Sequence, residues 1–255
     1  MTFAFSAELL GQHQVSFNHC PTCGLLQCEE PYWLEAAYSD AIAVADTGLV
    51  MRNIGIAKRL ATLLYFGFNP RANYVDVAGG YGMLTRLMRD DGFDFHWDDK
   101  FCANLLARGF EADPGQQPFA ACTAFEVLEH LHDPLAFIRE QFTRYGCRTL
   151  IFTTELYAGN TPPAKDWWYY AFNTGQHISF YSQKTLERIA EQLKLDFYTF
   201  HGIHILTDQK IKFSPLFHIL LIPKVTSALT WLIRKKMDPL TFSDHEALMK
   251  SLNRK

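Results

Sequence analysis

The sequence predicts a doubly wound α/β fold, in which a largely parallel sheet carries helices on both faces. Two patterns predict it: β-prone segments alternate with helical segments between about residues 50 and 205, and a glycine-rich turn follows the first β-prone segment directly. The chain has 255 residues, of which 48% are hydrophobic and 20% are charged. It is therefore long enough, and apolar enough, for one such domain with extensions.

The predicted elements begin with a helix. Ile54, Ala57, Leu60, Ala61 and Leu64 recur at three- and four-residue steps, which predicts a helix over residues 50–66. Further helices are predicted over residues 83–88, 103–107, 135–142 and 185–193, the last with Ser182 as its N-cap. The predicted strands cover residues 74–77, 93–97, 119–125, 149–154 and part of 197–205.

Two flanking segments fall outside this alternation. We expect an irregular N-terminal extension over residues 1–48, the α/β domain over 49–208 and a helical extension over 209–255. The apolar stretch 213–233 is interrupted by Pro215, Pro223 and Lys224, whereas a spanning helix needs roughly 20 uninterrupted apolar residues. Residues 213–237 are therefore expected to form an interfacial helix on a membrane, or a helical pair packed on the domain or on a partner subunit.

The net charge indicates which partners the protein is expected to bind, and the cysteine spacing indicates its cellular compartment. The formal net charge is −3, so no general attraction to nucleic acid is expected. The 6 cysteines lack the spacing of a disulfide framework, and the first residues lack the basic and apolar regions of a secretory signal. We therefore expect a cytoplasmic protein without a nucleic-acid partner.

The strongest chemical signal is the glycine-rich turn after the first predicted strand, which reads Asp76-Val77-Ala78-Gly79-Gly80-Tyr81-Gly82. Glycine permits the backbone angles of a sharp strand-to-helix turn, and it lets a ligand approach the backbone closely. The helix N-terminus beyond the turn offers unpaired N–H groups. The turn therefore predicts a nucleotide-type ligand.

Two features separate this turn from that of a dinucleotide-binding dehydrogenase. No glycine follows Gly82 at the third step, so the Gly-x-Gly-x-x-Gly spacing fails. Asp76 lies inside the strand. A carboxylate there does not stabilise a pyrophosphate, but it attracts an ammonium group, such as that of S-adenosylmethionine (SAM). Two acids, Asp98 and Asp99, follow the second strand; we favour Asp99 as the acceptor of ribose hydroxyls, the alternative being a solvated acid.

Two segments resemble motifs of the class I SAM-dependent methyltransferases. Residues 74–85 resemble the first motif of that family, with Ala78 in place of its usual glycine. Residues 123–134, which contain Glu-Val-Leu-Glu-His, resemble the segment after its fourth strand. The similarity covers roughly residues 50–205. It implies SAM as cofactor and a Rossmann-like seven-stranded sheet whose last strand is antiparallel.

The resemblance also implies roles for single residues. Those implied to bind SAM are Asp76, Ala78, Gly79, Gly80 and Gly82 at the methionine part, Asp99 at the ribose, and Phe125 and Glu126 near the sulfonium. Glu129 and His130 belong to the same motif, either as a hydrogen-bonded clamp at the helix start or in direct catalysis.

A third segment bears on the methyl acceptor. Residues 175–182, Gly-Gln-His-Ile-Ser-Phe-Tyr-Ser, resemble a stretch of sugar methyltransferases, including C-methyltransferases of nucleotide-linked deoxysugars. In that group a matching histidine lies in the acceptor pocket, which implies His177 as the catalytic base; the alternative is a histidine that only orients the loop. Glu155, at the end of the fifth strand, is a second catalytic candidate. The aromatic residues 167–170 would stack on a flat acceptor or form a hydrophobic cap.

A cysteine pair near the N-terminus has the Cys-x-x-Cys spacing of one zinc knuckle. It is formed by Cys20 and Cys23, with Cys28, His19 and His13 as the nearby further ligands, and it resembles a shortened form of the zinc module of sugar C-methyltransferases. The second Cys-x-x-Cys of that module is missing. The sequence therefore leaves two alternatives open, a zinc site and a metal-free turn.

Three functions follow from these patterns. The first is a SAM-dependent methyltransferase with a small-molecule acceptor, such as a sugar or glycan precursor, and S-adenosylhomocysteine (SAH) as product. The second is an NAD-dependent oxidoreductase on a related sheet, against which the failed glycine spacing argues. The third is a non-catalytic binding protein that retains the fold. The acceptor itself does not follow from a fold.

Overall fold

The structure is a computed structural model that describes residues 1–38, 46–115, 118–211 and 214–253. The chain forms two compact units. The first unit comprises residues 1–45, 124–140 and 150–208, and the second comprises residues 46–123, 141–149 and 209–255. Both combine helices with strands, so the predicted α/β class is confirmed.

The elements are as follows. The strands are β1 (Thr2–Leu9), β2 (His13–His19), β3 (Leu26–Cys28), β4 (Asn73–Val77), β5 (Asp94–Asp98), β6 (Ala121–Phe125), β7 (Thr149–Thr153), β8 (Leu156–Tyr157), β9 (Ser179–Ser182), β10 (Asp196–Phe200) and β11 (Ile203–Thr207). The helices are α1 (Leu34–Ala37), α2 (Leu49–Gly67), α3 (Met83–Asp90), α4 (Pro134–Tyr145), α5 (Gln183–Leu193), α6 (Phe217–Leu220), α7 (Pro223–Arg234) and α8 (Thr241–Leu252). Short 3-10 turns lie at Leu128–His130, Trp168–Tyr170 and Ser214–Leu216.

In the second unit, β4, β5 and the first residues of β6 run parallel, and β4 lies between the other two strands. Four of its five residues are buried, as expected for a strand covered on both faces. This register places Asp76 opposite Trp97 on β5 and Thr123 on β6. The glycine-rich turn leaves this central strand and leads into α3.

The seventh strand that the resemblance implied is not formed in the described part of the chain, where six strands follow the order β10-β11-β7-β6-β4-β5. Beyond β5 a single parallel bridge joins Trp97 to Glu111. The short helix predicted over residues 103–107 is also absent there. The Asn104 side chain accepts from the backbone N–H of Ala107 and donates to Glu111, so local side-chain bonds replace helical ones.

The last predicted strand is in fact a hairpin in the first unit. β10 and β11 pair antiparallel, and the turn between them places His201 at φ 49° and Gly202 at φ 80°. Two successive left-handed residues are what a tight hairpin turn requires. The apolar pattern over residues 197–205 did not reveal the turn, because His-Gly is not one of the Asn-Gly or Asp-Gly pairs that mark a two-residue hairpin turn.

The N-terminal residues differ most from expectation. Residues 1–45 were expected to be irregular, yet β1, β2 and β3 pair antiparallel and join β9 and β8 in a five-stranded sheet of order β1-β2-β3-β9-β8. Along β2, the inward positions Val15, Phe17 and His19 are buried and alternate with partly or fully exposed ones. That alternation, with Gly11 in the preceding turn, is a hairpin signal that the sequence reading missed.

The C-terminal helices belong to the second unit. α7 begins at Pro223, in the first-turn position where proline is favoured, and packs against α2 through Thr226, Thr230 and Ile233. Arg234 on α7 pairs with Asp91, and Asp244 on α8 pairs with Arg89. None of the helices in the described ranges is long and apolar enough to cross a membrane.

Candidate active site

The glycine-rich turn of the second unit has a backbone that few residues adopt. Ala78, Gly80 and Gly82 lie at φ 54°, 55° and 85°. A Cβ on Gly79 would lie 2.9 Å from Oδ2 of Asp76 and 3.0 Å from Cδ1 of Trp97. Glycine at this position therefore allows the chain to pass over Asp76. Ala78, the residue that departs from the family pattern, accepts a left-handed conformation at a cost of about 1 kcal/mol.

Asp76 is a buried acid with one short hydrogen bond. Its side chain is 3% exposed, and its Oδ1 accepts from the Thr123 hydroxyl at 2.7 Å. Loss of solvation raises the pKa of Asp76 to about 7, the Thr123 hydrogen bond opposes that rise, and the negative charge of Asp99 adds to it. A cationic ligand would stabilise this carboxylate in its charged form.

The two acids at the end of β5 have different partners. Asp98 pairs with Arg144 at 3.2 Å. Asp99 accepts from the backbone N–H of Gly80 at 2.8 Å, and its other oxygen accepts from the N–H groups of Phe101 and Cys102. The carboxylate of Asp99 thus touches the glycine-rich turn, whereas Asp98 contacts the turn through its backbone carbonyl, which accepts from Gly79, and its carboxylate is held by an arginine. The ribose role of Asp99 stays a prediction.

In the first unit, the Glu-Val-Leu-Glu-His motif forms a 3-10 turn held rigidly by β9 and the residue before it. The backbone N–H of Ile178 donates to the carbonyl of Glu129, the Tyr181 hydroxyl to that of Leu128, and the Ser179 hydroxyl to that of Leu131. These bonds bring Glu129, His130 and His177 together, with one ligand atom of each within 4.8 Å of the others. We call these three residues the acid–histidine cluster.

Both histidines of the acid–histidine cluster are oriented through Nδ1. That nitrogen of His177 lies 2.7 Å from the carbonyl oxygen of Tyr169, and that of His130 lies 3.0 Å from the carbonyl oxygen of Gln176. A carbonyl oxygen only accepts, so the His177 ring carries its proton on Nδ1 when neutral and presents a lone pair on Nε2. Nδ1 of His130 also lies 2.8 Å from the Tyr38 hydroxyl, which can donate to it, so both neutral tautomers of His130 have a partner there. Burial lowers the pKa of both imidazoles, which favours the neutral form.

Glu129 is the most deeply placed member of the acid–histidine cluster. It is 0% exposed, and among the described residues neither carboxylate oxygen has a partner at good hydrogen-bond geometry, although the nearby Tyr169 side chain forms a weak hydrogen bond with it. Loss of solvation raises the pKa of Glu129 to about 7, and the charge of Glu126 adds to the rise while His177 opposes it. Burying an uncompensated carboxylate is costly, so its retention points to a function beyond packing.

The other predicted residues of the first unit are placed as follows. Glu126 lies just after β6 at φ 55°, and its carboxylate accepts from the Thr153 hydroxyl at 2.6 Å, while Phe125 is partly buried. Glu155 is exposed just after β7. Tyr169 and Tyr170 are buried in the core of the N-terminal sheet and Trp168 is 72% exposed, so most of the aromatic segment forms a hydrophobic cap.

Within the described residues, the cysteines do not belong to any group of three converging metal-ligating side chains. Two backbone carbonyls fix the turn after Cys20. The carbonyl of Cys23 accepts from the hydroxyls of Ser182 and Thr185, and the carbonyl of Gly24 accepts from the Tyr157 hydroxyl. Cys28 faces the core from β3, where burial raises the pKa of its thiol to about 12. In the described ranges, the group of three close metal-ligating side chains is the acid–histidine cluster, not the cysteines.

Sequence reasoning missed the N-terminal residues that support the acid–histidine cluster. The Tyr38 hydroxyl lies 2.8 Å from Nδ1 of His130, and the amide of Gln27 on β3 donates to the carbonyl of His132. The Trp33 indole donates to the carbonyl of Gly175 at 2.8 Å. No local pattern marks these residues, because each contact joins segments more than 90 residues apart.

A central parallel strand, a glycine-rich turn over a buried acid and a Glu-Val-Leu-Glu-His turn together define an α/β protein of the nucleoside-cofactor-binding class. Comparison with known families narrows the class. The family model described as a methyltransferase domain matches residues 52–198. The chain belongs to this methyltransferase family, and the resemblance to SAM-dependent methyltransferases is confirmed. No protein of curated function matches the sequence.

Solved structures show more distant likenesses. TnmH is 17% identical with a TM-score of 0.48, over 69% of this chain and 60% of its own. PigF, solved with SAH, is 12% identical with a TM-score of 0.48, over 70% of this chain and 62% of its own. The mitomycin 7-O-methyltransferase MmcR is 15% identical with a TM-score of 0.45, over 69% of this chain and 60% of its own. The matched part thus spans about three fifths of these proteins.

Proposed function

We propose that this protein transfers a methyl group from SAM to a small-molecule acceptor and releases SAH. The observation that carries the proposal is Asp76, a buried carboxylate below the glycine-rich turn whose one short side-chain hydrogen bond within the described ranges comes from a neutral hydroxyl. SAM brings an ammonium group and a sulfonium, and a cation is the ligand charge that such a carboxylate favours. A pyrophosphate would instead add negative charge beside it.

The residues proposed to hold SAM follow the family pattern. Ala78, Gly79, Gly80 and Gly82 would let the cofactor approach the backbone, and Asp99 would accept from the ribose hydroxyls. The bond from the N–H of Gly80 to Asp99 supports this role, because it ties the acid to the turn. Phe125 and Glu126 keep the cofactor role that the family resemblance predicts for them.

His177 is the proposed group for activating the acceptor. Methyl transfer is an in-line displacement at the sulfonium carbon, so the protein chiefly has to align the acceptor and assist removal of its proton. The lone pair on Nε2 of His177, fixed by the bond from Nδ1 to Tyr169, supports this choice. Glu155 is the second candidate, and its exposed position makes it the weaker one.

The proposal also names a class of methyl acceptor and a cellular compartment. A sugar or glycan precursor is the acceptor class that the sequence of residues 175–182 suggests, and we propose that the protein acts in the cytoplasm. Exposed apolar side chains on α6 and α7, Ile219, Trp231 and Leu232, support a contact of residues 213–237 with a partner subunit or a membrane surface.

The experiment that tests the function has two parts. Calorimetric titration with SAM, SAH and NADH shows which cofactor the chain binds, and an acceptor screen that measures SAH release shows whether it turns over. We expect binding of SAM and SAH, no binding of NADH, and SAH release with at least one hydroxyl-bearing acceptor. Binding of NADH alone would make the protein an oxidoreductase, and cofactor binding with no turnover on any acceptor would make it a non-catalytic binding protein.

A further inference from the structure

The acid–histidine cluster has the composition of a metal site. Two imidazoles and one carboxylate converge, with one ligand atom of each within 4.8 Å of the others. The His130 and His177 rings meet edge to face with their centroids 4.9 Å apart. Two histidines and one carboxylate are a frequent ligand set for divalent first-row transition ions, which leave further coordination positions open for water or substrate.

The hydrogen bonds around the acid–histidine cluster are those that a bound cation requires. A ligating histidine normally donates its other ring N–H to a carbonyl or carboxylate, which fixes the ring and its tautomer. His177 does so, to the carbonyl of Tyr169, and Nδ1 of His130 is held between the carbonyl of Gln176 and the Tyr38 hydroxyl. The Nε2 lone pair of His177 is therefore set by the backbone before any ligand arrives, and the His130 ring is held in place through Nδ1.

A second observation is independent of the ligand set. Glu129 is fully buried, and in the described part of the chain neither of its oxygens has a partner at good hydrogen-bond geometry beyond a weak interaction with Tyr169, although its backbone carbonyl is bonded to Ile178. A buried carboxylate is normally paired, hydrogen-bonded or coordinated to a metal. Neutral His177 cannot donate to it from Nε2, and a cation held by the same three side chains is a partner that fits this place.

We propose that Glu129, His130 and His177 bind a divalent first-row transition ion, in the class of Zn²⁺ or Co²⁺, with coordination positions left for an oxygen ligand. The site is distinct from the cysteine pair at Cys20 and Cys23. With this site, the Glu-Val-Leu-Glu-His turn binds a metal ion as well as clamping the start of the helix.

The role of the ion in turnover rests on the proposed methyl transfer. An acceptor hydroxyl bound to the ion loses its proton to solvent more readily, because the ion stabilises the resulting oxyanion. The oxygen lone pair then forms the C–O bond as the C–S bond breaks, and the sulfur keeps the electron pair to give SAH. His177 would thus activate the acceptor through the ion that it holds.

The test measures metal binding directly in the full chain. Protein dialysed against a chelator and then into metal-free buffer is titrated with Zn²⁺ in a calorimeter and with Co²⁺ in a spectrophotometer. Glu129→Gln keeps the shape of the side chain and removes its charge, and His177→Gln removes one imidazole. A double variant, Cys20→Ser with Cys23→Ser, is the matched control that removes the competing thiols.

We expect about one ion per chain in the wild type and in the cysteine variant, and a loss of affinity of at least about tenfold in Glu129→Gln and His177→Gln. Less than about a tenth of an ion per chain, or binding that disappears with the cysteines and persists in Glu129→Gln, would overturn the proposal. SAM titrations of the same variants separate the two claims. Metal binding without SAM binding refutes the proposed function alone, and SAM binding without metal binding refutes the metal site alone.

Discussion

The Asp76 carboxylate accepts a 2.7 Å hydrogen bond from the Thr123 hydroxyl, across two neighbouring parallel strands of a buried sheet. This bond supports the charged form of an acid whose burial favours the neutral form. It thereby keeps a carboxylate available below the glycine-rich turn. The register of β4 against β6 places Thr123 opposite Asp76, and the resulting hydrogen bond helps to keep a negative charge at the proposed cofactor site.

The first prediction concerns proton release on cofactor binding. Because burial raises the pKa of Asp76 to about 7, the acid is mostly protonated at pH 6 and mostly ionised at pH 8. Binding of the cationic cofactor lowers that pKa, so we expect release of about 0.9 proton at pH 6 and about 0.1 at pH 8 from this group. Calorimetry of SAM binding in buffers of different ionisation enthalpy measures this number. A proton count near zero at pH 6 would argue against contact between Asp76 and the cationic part of SAM.

The second prediction concerns the turn itself. Gly82 lies at φ 85°, and a Cβ there would lie 2.9 Å from Oδ1 of Asn104 and 3.1 Å from Cβ of Ala107. Gly82→Ala should therefore combine backbone strain with a steric shift of the turn, and SAM affinity should fall at least about tenfold. Gly11→Ala, at φ 67° with nothing within 4 Å, is the matched control for strain alone. Equal SAM affinity in both variants would show that the turn does not hold the cofactor.

The third prediction separates the two acceptor-activating candidates. His177→Ala should lower turnover at least about tenfold with little change in SAM affinity, because the side chain acts on the acceptor. Glu155→Gln should have a smaller effect, since Glu155 is exposed. Steady-state kinetics with the acceptor found in the screen provide the comparison. A larger loss of turnover in Glu155→Gln than in His177→Ala would show that Glu155, not His177, activates the acceptor.

The fourth prediction concerns the C-terminal helix. Arg89 and Asp244 are each 5% exposed, and they form two hydrogen bonds of 2.7 and 2.8 Å. Asp244→Ala removes one of the two carboxylates that pair with the buried Arg89 guanidinium, the other being Asp94, and also removes a partner of Arg86, so the free energy of unfolding should fall by about 3 kcal/mol. The double variant Arg89→Met with Asp244→Leu should recover part of that loss, because it removes the charge at both buried positions. Denaturant unfolding tests both, and equal stability of wild type and Asp244→Ala would show that the pair contributes nothing.

The parallel part of the fold could be predicted because its signals are local. The apolar steps of α2, the run of buried residues in β4 and the Ser182 cap of α5 each lie within a few residues, and the structure has a full capping box at Ser182. The glycine-rich turn is likewise a single segment. Local propensity and local packing agree at these places, so the sequence pattern was sufficient.

The N-terminal sheet and the acid–histidine cluster could not be predicted in the same way. β3 pairs with β9, which lies about 150 residues later in the chain, and no short pattern encodes such a pairing. The sequence predicts roles for Glu129 and His177 in separate segments, a clamp or catalytic residue for Glu129 and a base or loop-orienting residue for His177. Their convergence depends on the bond from Ile178 to the carbonyl of Glu129, which only the folded chain shows.

The central claim is that the glycine-rich turn over Asp76 binds a methyl donor. Calorimetric titration of SAM into the wild type and into Asp76→Asn at pH 8 tests it most directly, because asparagine keeps the size of the side chain and removes its charge. The account predicts one SAM per chain in the wild type and an affinity at least about tenfold lower in Asp76→Asn, a loss of about 1.4 kcal/mol. Equal affinity in the two proteins, or binding of NADH in place of SAM, would contradict it.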